Sequence, residues 1–233
     1  RAAKGKVDFE FADEIERVSV EHSHPKWLIE HWAERHGLSA AEDIAKSNNT
    51  VPNLTFRFTT RFESLDKAEQ TEIASSLSRN VEVSKSSLLK NCYVTAKQSR
   101  KLRQLANENL IYFQEEASQF TAHSIDLAVG EKFVDVCASP GSKATYINAF
   151  KNPGAVIVAG DFYKHRIKSL AANVESQGAN RIQVVQYDAE NSLPFADRSF
   201  DIVLIDAPCT GTGTIRRNPE IRYSLKEEDF GVL

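Results

Sequence analysis

The chain has 233 residues, 41% of them apolar and 26% charged, with a net charge of −3. That is ordinary globular composition, able to bury a sizeable core, and the length fits two modest domains. There is no apolar run of about 18 residues and no basic-then-apolar leader, so no membrane span or secretory signal is expected and a cytoplasmic monomer is.

The first hundred residues read as a small α/β unit. Pro25 opens a helical pattern carrying Trp27, Leu28, Ile29 and Trp32 and ending near Gly37; proline suits the first turn of a helix and glycine its exit. Both tryptophans are assigned to packing. Ser39 to Glu42 has capping-box spacing and predicts a second helix start. Leu54, Phe56 and Phe58 alternate with Thr55, Arg57 and Thr59, the pattern of a half-buried strand. A helix over Lys67–Leu77 and short strands near Val81–Val83 and Tyr93–Thr95 follow.

Charge is unevenly spread. Residues 1–83 carry 11 cations and 15 acids, whereas 84–107 carry Lys85, Lys90, Lys97, Arg100, Lys101 and Arg103 and no acid. Such a stretch is either a solvated face or a phosphate-contacting surface.

From about Ile125 buried strands alternate with helices: Phe133–Val136, Ala155–Ala159, Ile182–Gln186 and Ile202–Ile205. This pattern predicts a parallel sheet with crossover helices, whose ligands bind at the carboxyl ends of the strands. The first strand leads through Asp135-Val136-Cys137-Ala138-Ser139-Pro140-Gly141-Ser142-Lys143 into a helix. That turn has neither phosphate-loop nor dinucleotide spacing. Asp161 follows the second strand, 20 residues after Gly141, where a carboxylate can accept hydrogen bonds from ribose hydroxyls. Asp188 ends the third strand and Asp206 the fourth. An acid-lined crevice suits a nucleoside cofactor that carries a sulfonium and an ammonium and lacks a pyrophosphate, which is S-adenosylmethionine.

Pro208-Cys209 narrows the chemistry. Cytosine C5 is a weak nucleophile, and adding a thiolate at C6 makes it enamine-like, whereas methylating an amino group needs no such adduct. The alternative for a lone cysteine is a buried small hydrophobe, the reading given to Cys92 and Cys137. The three cysteines match no zinc pattern or disulfide framework, so no metal is expected.

The strings VDVCASPGSK (134–143) and LIDAPCTGTGTIRRNPEIR (204–222) resemble the first and fourth motifs of the RNA cytosine-C5 methyltransferases of the Fmu/Sun (RsmB-like) and Nol/Nop family. HSHPKWLIEHW (22–32), NNTVPNLTFRF (48–58) and YFQEEAS (112–118) are similar to segments that precede the family's catalytic domain, so nearly the whole chain is covered. The resemblance implies a Rossmann-like S-adenosylmethionine methyltransferase domain over 109–233, incomplete at its C-terminus, preceded over 1–108 by a small α/β RNA-binding domain resembling an RNA-recognition motif. It implies that Cys137, Ala138, Ser139, Pro140, Gly141, Ser142 and Lys143 surround the methionine part of the cofactor, that Asp161 holds the ribose and that Asp188 lies at the adenine. Asp206 would stand between cofactor and base. Ser139 and Ser142 depart from the family's usual Ala and Gly. The 84–107 cations, with Arg216, Arg217 and Arg222, would meet RNA phosphates, ribosomal RNA first and transfer RNA as the alternative.

The resemblance also implies two cysteines, a nucleophile in a later Thr-Cys motif and Cys209 for product release. No Thr-Cys occurs by Leu233. A truncated chain, Cys209 as the nucleophile, or a non-catalytic RNA-binding relative each fit. Truncation is the working expectation, because stopping at the fourth strand would leave an apolar sheet edge. Methionine is absent where about five are expected. The native chain is therefore expected to contain methionine and to extend at its C-terminus and N-terminus; an intact mass near 26.0 kDa would count against that.

Overall fold

The computed structural model describes residues 10–151 and 153–231. Three helices come first: α1 (Glu14–His22), α2 (Lys26–His36) and α3 (Leu38–Asn48). Next are β1 (Leu54–Phe58), α4 (Thr60–Glu63), α5 (Lys67–Asn80), β2 (Ser84–Lys85), β3 (Tyr93–Thr95), α6 (Arg100–Asn107) and β4 (Ile111–Phe113). Then follow α7 (Glu116–His123), β5 (Lys132–Asp135), α8 (Ser142–Phe150), β6 (Val156–Asp161), α9 (Lys164–Ser176), β7 (Ile182–Gln186), β8 (Ile202–Leu204) and α10 (Ile221–Ser224). Two compact units result, one from residues up to Pro52 together with those from Pro208 onward, the other Asn53–Ala207. The division drawn from sequence at 108/109 cuts the chain differently, since β4 pairs with β1.

In the helical unit Val18, Leu28, Ile29, Trp32, Ala41, Ala45 and Ile215 form the core. Trp27 packs edge-on against Phe230, with ring centroids 5.6 Å apart, so both tryptophans pack as expected. Ser39 does not cap α3. Gly37, at φ 84°, ends α2 and starts α3 at once, which leaves Ser39 inside the helix. Arg222 also departs from expectation. It is 6% exposed and donates from Nη1 to the Ser23 carbonyl (3.2 Å) and Asn49 Oδ1 (2.9 Å). It braces α10 against the earlier helices and presents no charge to a phosphate.

In the second unit the first sheet is antiparallel throughout, in the order β2-β3-β1-β4. With α5 after β1 and α6 after β3, this is the split βαββαβ topology expected of an RNA-recognition-motif-like module. A capping box starts α5: Asp66 accepts from the Glu69 N–H and Glu69 reaches back to the Asp66 N–H. The strand expected at Val81–Val83 pairs only at Ser84–Lys85, while Val81 and Val83 turn toward the core. One face of β1 carries Phe56 and Phe58 against Leu77, Leu102 and Leu105. The opposite face is buried too. Thr55, Arg57 and Thr59 are 8%, 0% and 0% exposed, so β1 is not the half-buried strand its alternation suggests, and this face is closed to base stacking.

The second sheet is parallel, in the order β7-β6-β5-β8. Its strands lie within two residues of the expected positions because β-branched runs suit a sheet covered on both faces. Phe133, Ile157 and Ala159 meet Ala144, Ile147, Leu170 and Val174 on one side; Val134, Val136, Val158 and Tyr187 form a second cluster. Val203 and Ile205, in and just after β8, are exposed. Among the described residues no helix is long and apolar enough to cross a membrane.

Candidate functional site

Asp135 and Asp161 end β5 and β6, and Asp206 follows β8, so the parallel strands bring three carboxylates to the same end of the sheet. After β5 the chain turns through a cis Ser139–Pro140 bond to Gly141, whose φ of 98° is a left-handed value that disfavours a side chain. A Cβ there would also stand 2.6 Å from Leu170 Cδ1. Gly141 is the N-cap of α8, and no side chain caps the first N–H groups of that helix. Thr145 closes the turn by donating from Oγ1 to the Gly141 carbonyl at 2.7 Å.

Lys143 and Asp206 are brought together across the strand ends, Nζ to Oδ2 at 2.5 Å. Lys143 is largely buried and Asp206 is 57% exposed. The ammonium is thus anchored while the carboxylate keeps an open side.

Asp161 is enclosed. It is 3% exposed, and its Oδ1 accepts from the Phe162 N–H (2.9 Å) and its Oδ2 from the Ser139 N–H (3.2 Å). Arg166 pairs with Oδ2 at 3.3 Å and donates to the Ser139 carbonyl. Asp161 therefore ties β6 and α9 to the Ser139 turn. Asp188 accepts from the Glu190 N–H and Asn191 Nδ2. Phe162 and Tyr163, just after Asp161, are half exposed with ring centroids 4.7 Å apart.

Sequence reasoning gave Asp135 no role. It is 1% exposed, its Oδ1 has no partner, and the Tyr187 hydroxyl is likewise buried and unpartnered. Burial foremost, with Asp206 and Asp161 adding to it and Lys143 opposing, pushes the Asp135 carboxyl up to about 7. Unfolded aspartate ionises near 3.9, so between about pH 4 and 7 the folded chain binds the extra proton and stability should fall as pH rises. Asp135→Asn is expected to flatten that decline in denaturant midpoints measured from pH 4 to 8; an unchanged slope would assign it elsewhere.

The cysteines separate by environment. Cys92 is buried, which pushes its thiol up to about 11, and Cys137 is raised by burial and by nearby Asp161 and Asp135. Neither is disposed to ionise. Cys209 is exposed, in the segment grouped with the helical unit. Glu21, His22 and Glu42 are close enough to bind a metal, but Glu42 is engaged by Arg17 and Lys46.

Of the basic stretch, Lys85, Lys90, Lys97, Arg100 and Arg103 are exposed and Lys101 is partly so. On α6 the buried Leu102 and Leu105 turn Arg100, Arg103 and Asn107 outward along one face. In the helical unit Arg216 and Arg217 line a groove with Asn49, Thr50 and Tyr223.

The family model described as 16S rRNA methyltransferase RsmB/F matches residues 122–233. The chain is 31% identical over 224 residues to the probable ribosomal RNA small subunit methyltransferase B of Bacillus subtilis (strain 168), an alignment covering 95% of this chain and 49% of that protein. The chain is thus similar to the RsmB/F methyltransferase family along nearly its whole length. Ribosomal RNA small subunit methyltransferase F of Shewanella loihica is 34% identical over 131 residues, 54% of this chain and 27% of that one. The crystal structure of PH0851 superposes with a TM-score of 0.80 at 28% identity, covering 97% of this chain and 51% of the other. The likeness of fold thus runs through both units, including segments upstream of the family match. The chain spans about half the length of these full-chain matches.

Proposed function

We propose that this chain forms the cofactor-binding and RNA-facing part of an S-adenosylmethionine-dependent methyltransferase that makes 5-methylcytosine in small-subunit ribosomal RNA. The observation that carries the reading is the pairing of the open α8 N-terminus at Gly141 with carboxylates Asp135 and Asp206 at adjacent strand ends. Helix N–H groups suit the cofactor's carboxylate, and acids suit its ammonium and sulfonium. The donor set fits the cofactor on a second count, because Asp135 Oδ1 is a buried acceptor with no protein partner. When bound, the cofactor supplies an electrophilic methyl group. Residues 137–143 would hold its methionine part, and the exposed Phe162 offers an apolar face to its adenine. For Asp161 to take ribose hydroxyls, Arg166 must yield its place on Oδ2.

Asp206 would accept a hydrogen bond from the 4-amino group of cytosine and steady the adduct formed when a cysteine thiolate adds to C6. After methyl transfer, loss of the C5 proton expels the thiolate. Within this chain Cys209 is the cysteine with access; by family resemblance it serves product release, and a downstream Thr-Cys cysteine attacks. Residues 1–108 are proposed as the RNA-facing module and 109–233 as the catalytic part. The burial of Thr55 and Arg57 closes one face of the first sheet, which leaves phosphate contacts to the exposed face of α6 and to Arg216 and Arg217.

The expected result is binding of S-adenosylmethionine in calorimetry, together with RNA binding whose salt dependence weakens when Arg100, Lys101 and Arg103 are all changed to glutamine. Each lost phosphate contact should reduce the log–log salt slope by roughly 0.7–0.9. RNA binding without cofactor binding would instead favour a non-catalytic RNA-binding relative.

A further inference from the structure

Arg57 heads the fully buried side chains by volume among the described residues, yet none of its described hydrogen bonds goes to a carboxylate. Its Nε donates to Gln114 Oε1 at 2.7 Å, and its Nη1 to the Phe58 carbonyl at 3.3 Å. Its Nη2 reaches Thr145 Oγ1 (2.8 Å), Gln177 Oε1 (3.1 Å) and the Ser142 carbonyl (3.2 Å). The rings of Tyr112 and Tyr146 flank the guanidinium at 5.2 and 5.7 Å. A buried cation held by neutral oxygens and aromatic faces is costly to desolvate. It is also directional, because the guanidinium fork fixes several acceptors in one geometry.

Two of these acceptors, the Ser142 carbonyl and Thr145 Oγ1, belong to the first turn of α8. Thr145 Oγ1 receives a hydrogen bond from Arg57 and passes its own to the Gly141 carbonyl, which also accepts from the Thr145 N–H at 2.9 Å. Arg57 is the fourth of the five residues of β1, on the face that an RNA-recognition-motif-like sheet would otherwise leave open.

We propose that Arg57 is a positioning residue for the cofactor turn, holding the first turn of α8 through Ser142 and Thr145 so that its N–H groups stay preorganised for S-adenosylmethionine. The inference rests on the cofactor reading above. Lysine at this position keeps a charge but cannot span the acceptors. Arg61 serves as the control, since its Nε bonds the Ser176 carbonyl at the end of α9 and touches no part of the turn.

The test measures S-adenosylmethionine affinity by calorimetry, and amide hydrogen exchange at 139–145, in the full-length protein carrying Arg57→Lys, Thr145→Val or Arg61→Ala. The first two are expected to weaken binding about tenfold or more, the scale of one charge-assisted hydrogen bond, and to speed exchange in the turn. Arg61→Ala should lower the melting temperature and leave both readouts unchanged. Because Thr145→Val is nearly isosteric, it carries the test if Arg57→Lys fails to fold. Parental affinity in either folded turn variant, or equal weakening in Arg61→Ala, would overturn the proposal. If the parent protein binds no cofactor, the cofactor reading fails; exchange then decides whether Arg57 holds the turn, with faster exchange in the turn variants alone supporting it and unchanged exchange refuting it.

Discussion

Asp206→Asn is expected to lower kcat for methyl transfer by roughly 10²–10³-fold, the cost of removing one preorganised electrostatic partner from a reacting centre. S-adenosylmethionine affinity should change far less. The reasoning starts from the asymmetry of the Lys143–Asp206 pair, in which the lysine is largely enclosed and the carboxylate is 57% exposed. A pair this open contributes little to stability. The asparagine retains shape and one acceptor but loses the charge proposed to steady a polarised cytosine ring. Lys143→Met should have a smaller effect on kcat by leaving Asp206 free to swing. Single-turnover transfer with saturating cofactor separates these outcomes from binding. An Asp206→Asn enzyme with parental single-turnover rate would remove Asp206 from the mechanism.

Gly160→Ala is expected to be the most damaging single-atom-scale change in the second sheet. A Cβ at Gly160 would lie 2.3 Å from Cε1 and Cζ of the Tyr187 ring, which is itself buried against Val134, Val136 and Val158 and edge-on to Phe195. Displacing a packed ring costs about 2–4 kcal/mol, or a fall in Tm of about 5–15 °C for a protein of this size. The double variant Gly160→Ala/Tyr187→Ala tests the cause, because with the ring removed the added methyl group should cost almost nothing relative to Tyr187→Ala alone. Additive losses would show that the collision is not what makes glycine necessary here.

The parallel sheet was legible because β5, β6, β7 and β8 are apolar, β-branched runs with acids or glycines at their carboxyl ends. The helix α1 was not, since Ile15 and Val18 are sparse apolar positions among Glu14, Glu16, Arg17 and Glu21. Ser39 shows how a local signal can lose: its capping spacing is sound, but one left-handed glycine joins two helices and takes the position first. Alternation failed at Arg57 and Thr55 because a second polar face can be buried when another layer supplies neutral acceptors. The same blindness to burial placed Arg222 on the surface and passed over Asp135, which stands at a strand end like Asp161 and Asp206. Sequence spacing identified the turn at 137–143; only the structure shows that Asp161 and Asp188 are engaged by their own neighbourhoods.

The most direct measurement is transfer of labelled methyl groups from S-adenosylmethionine to small-subunit ribosomal RNA by the full-length protein, followed by nucleoside analysis of the product. The account predicts label in 5-methylcytosine, lost in Asp206→Asn. Label on an exocyclic amine or a ribose, or RNA bound tightly with no label transferred, would contradict it.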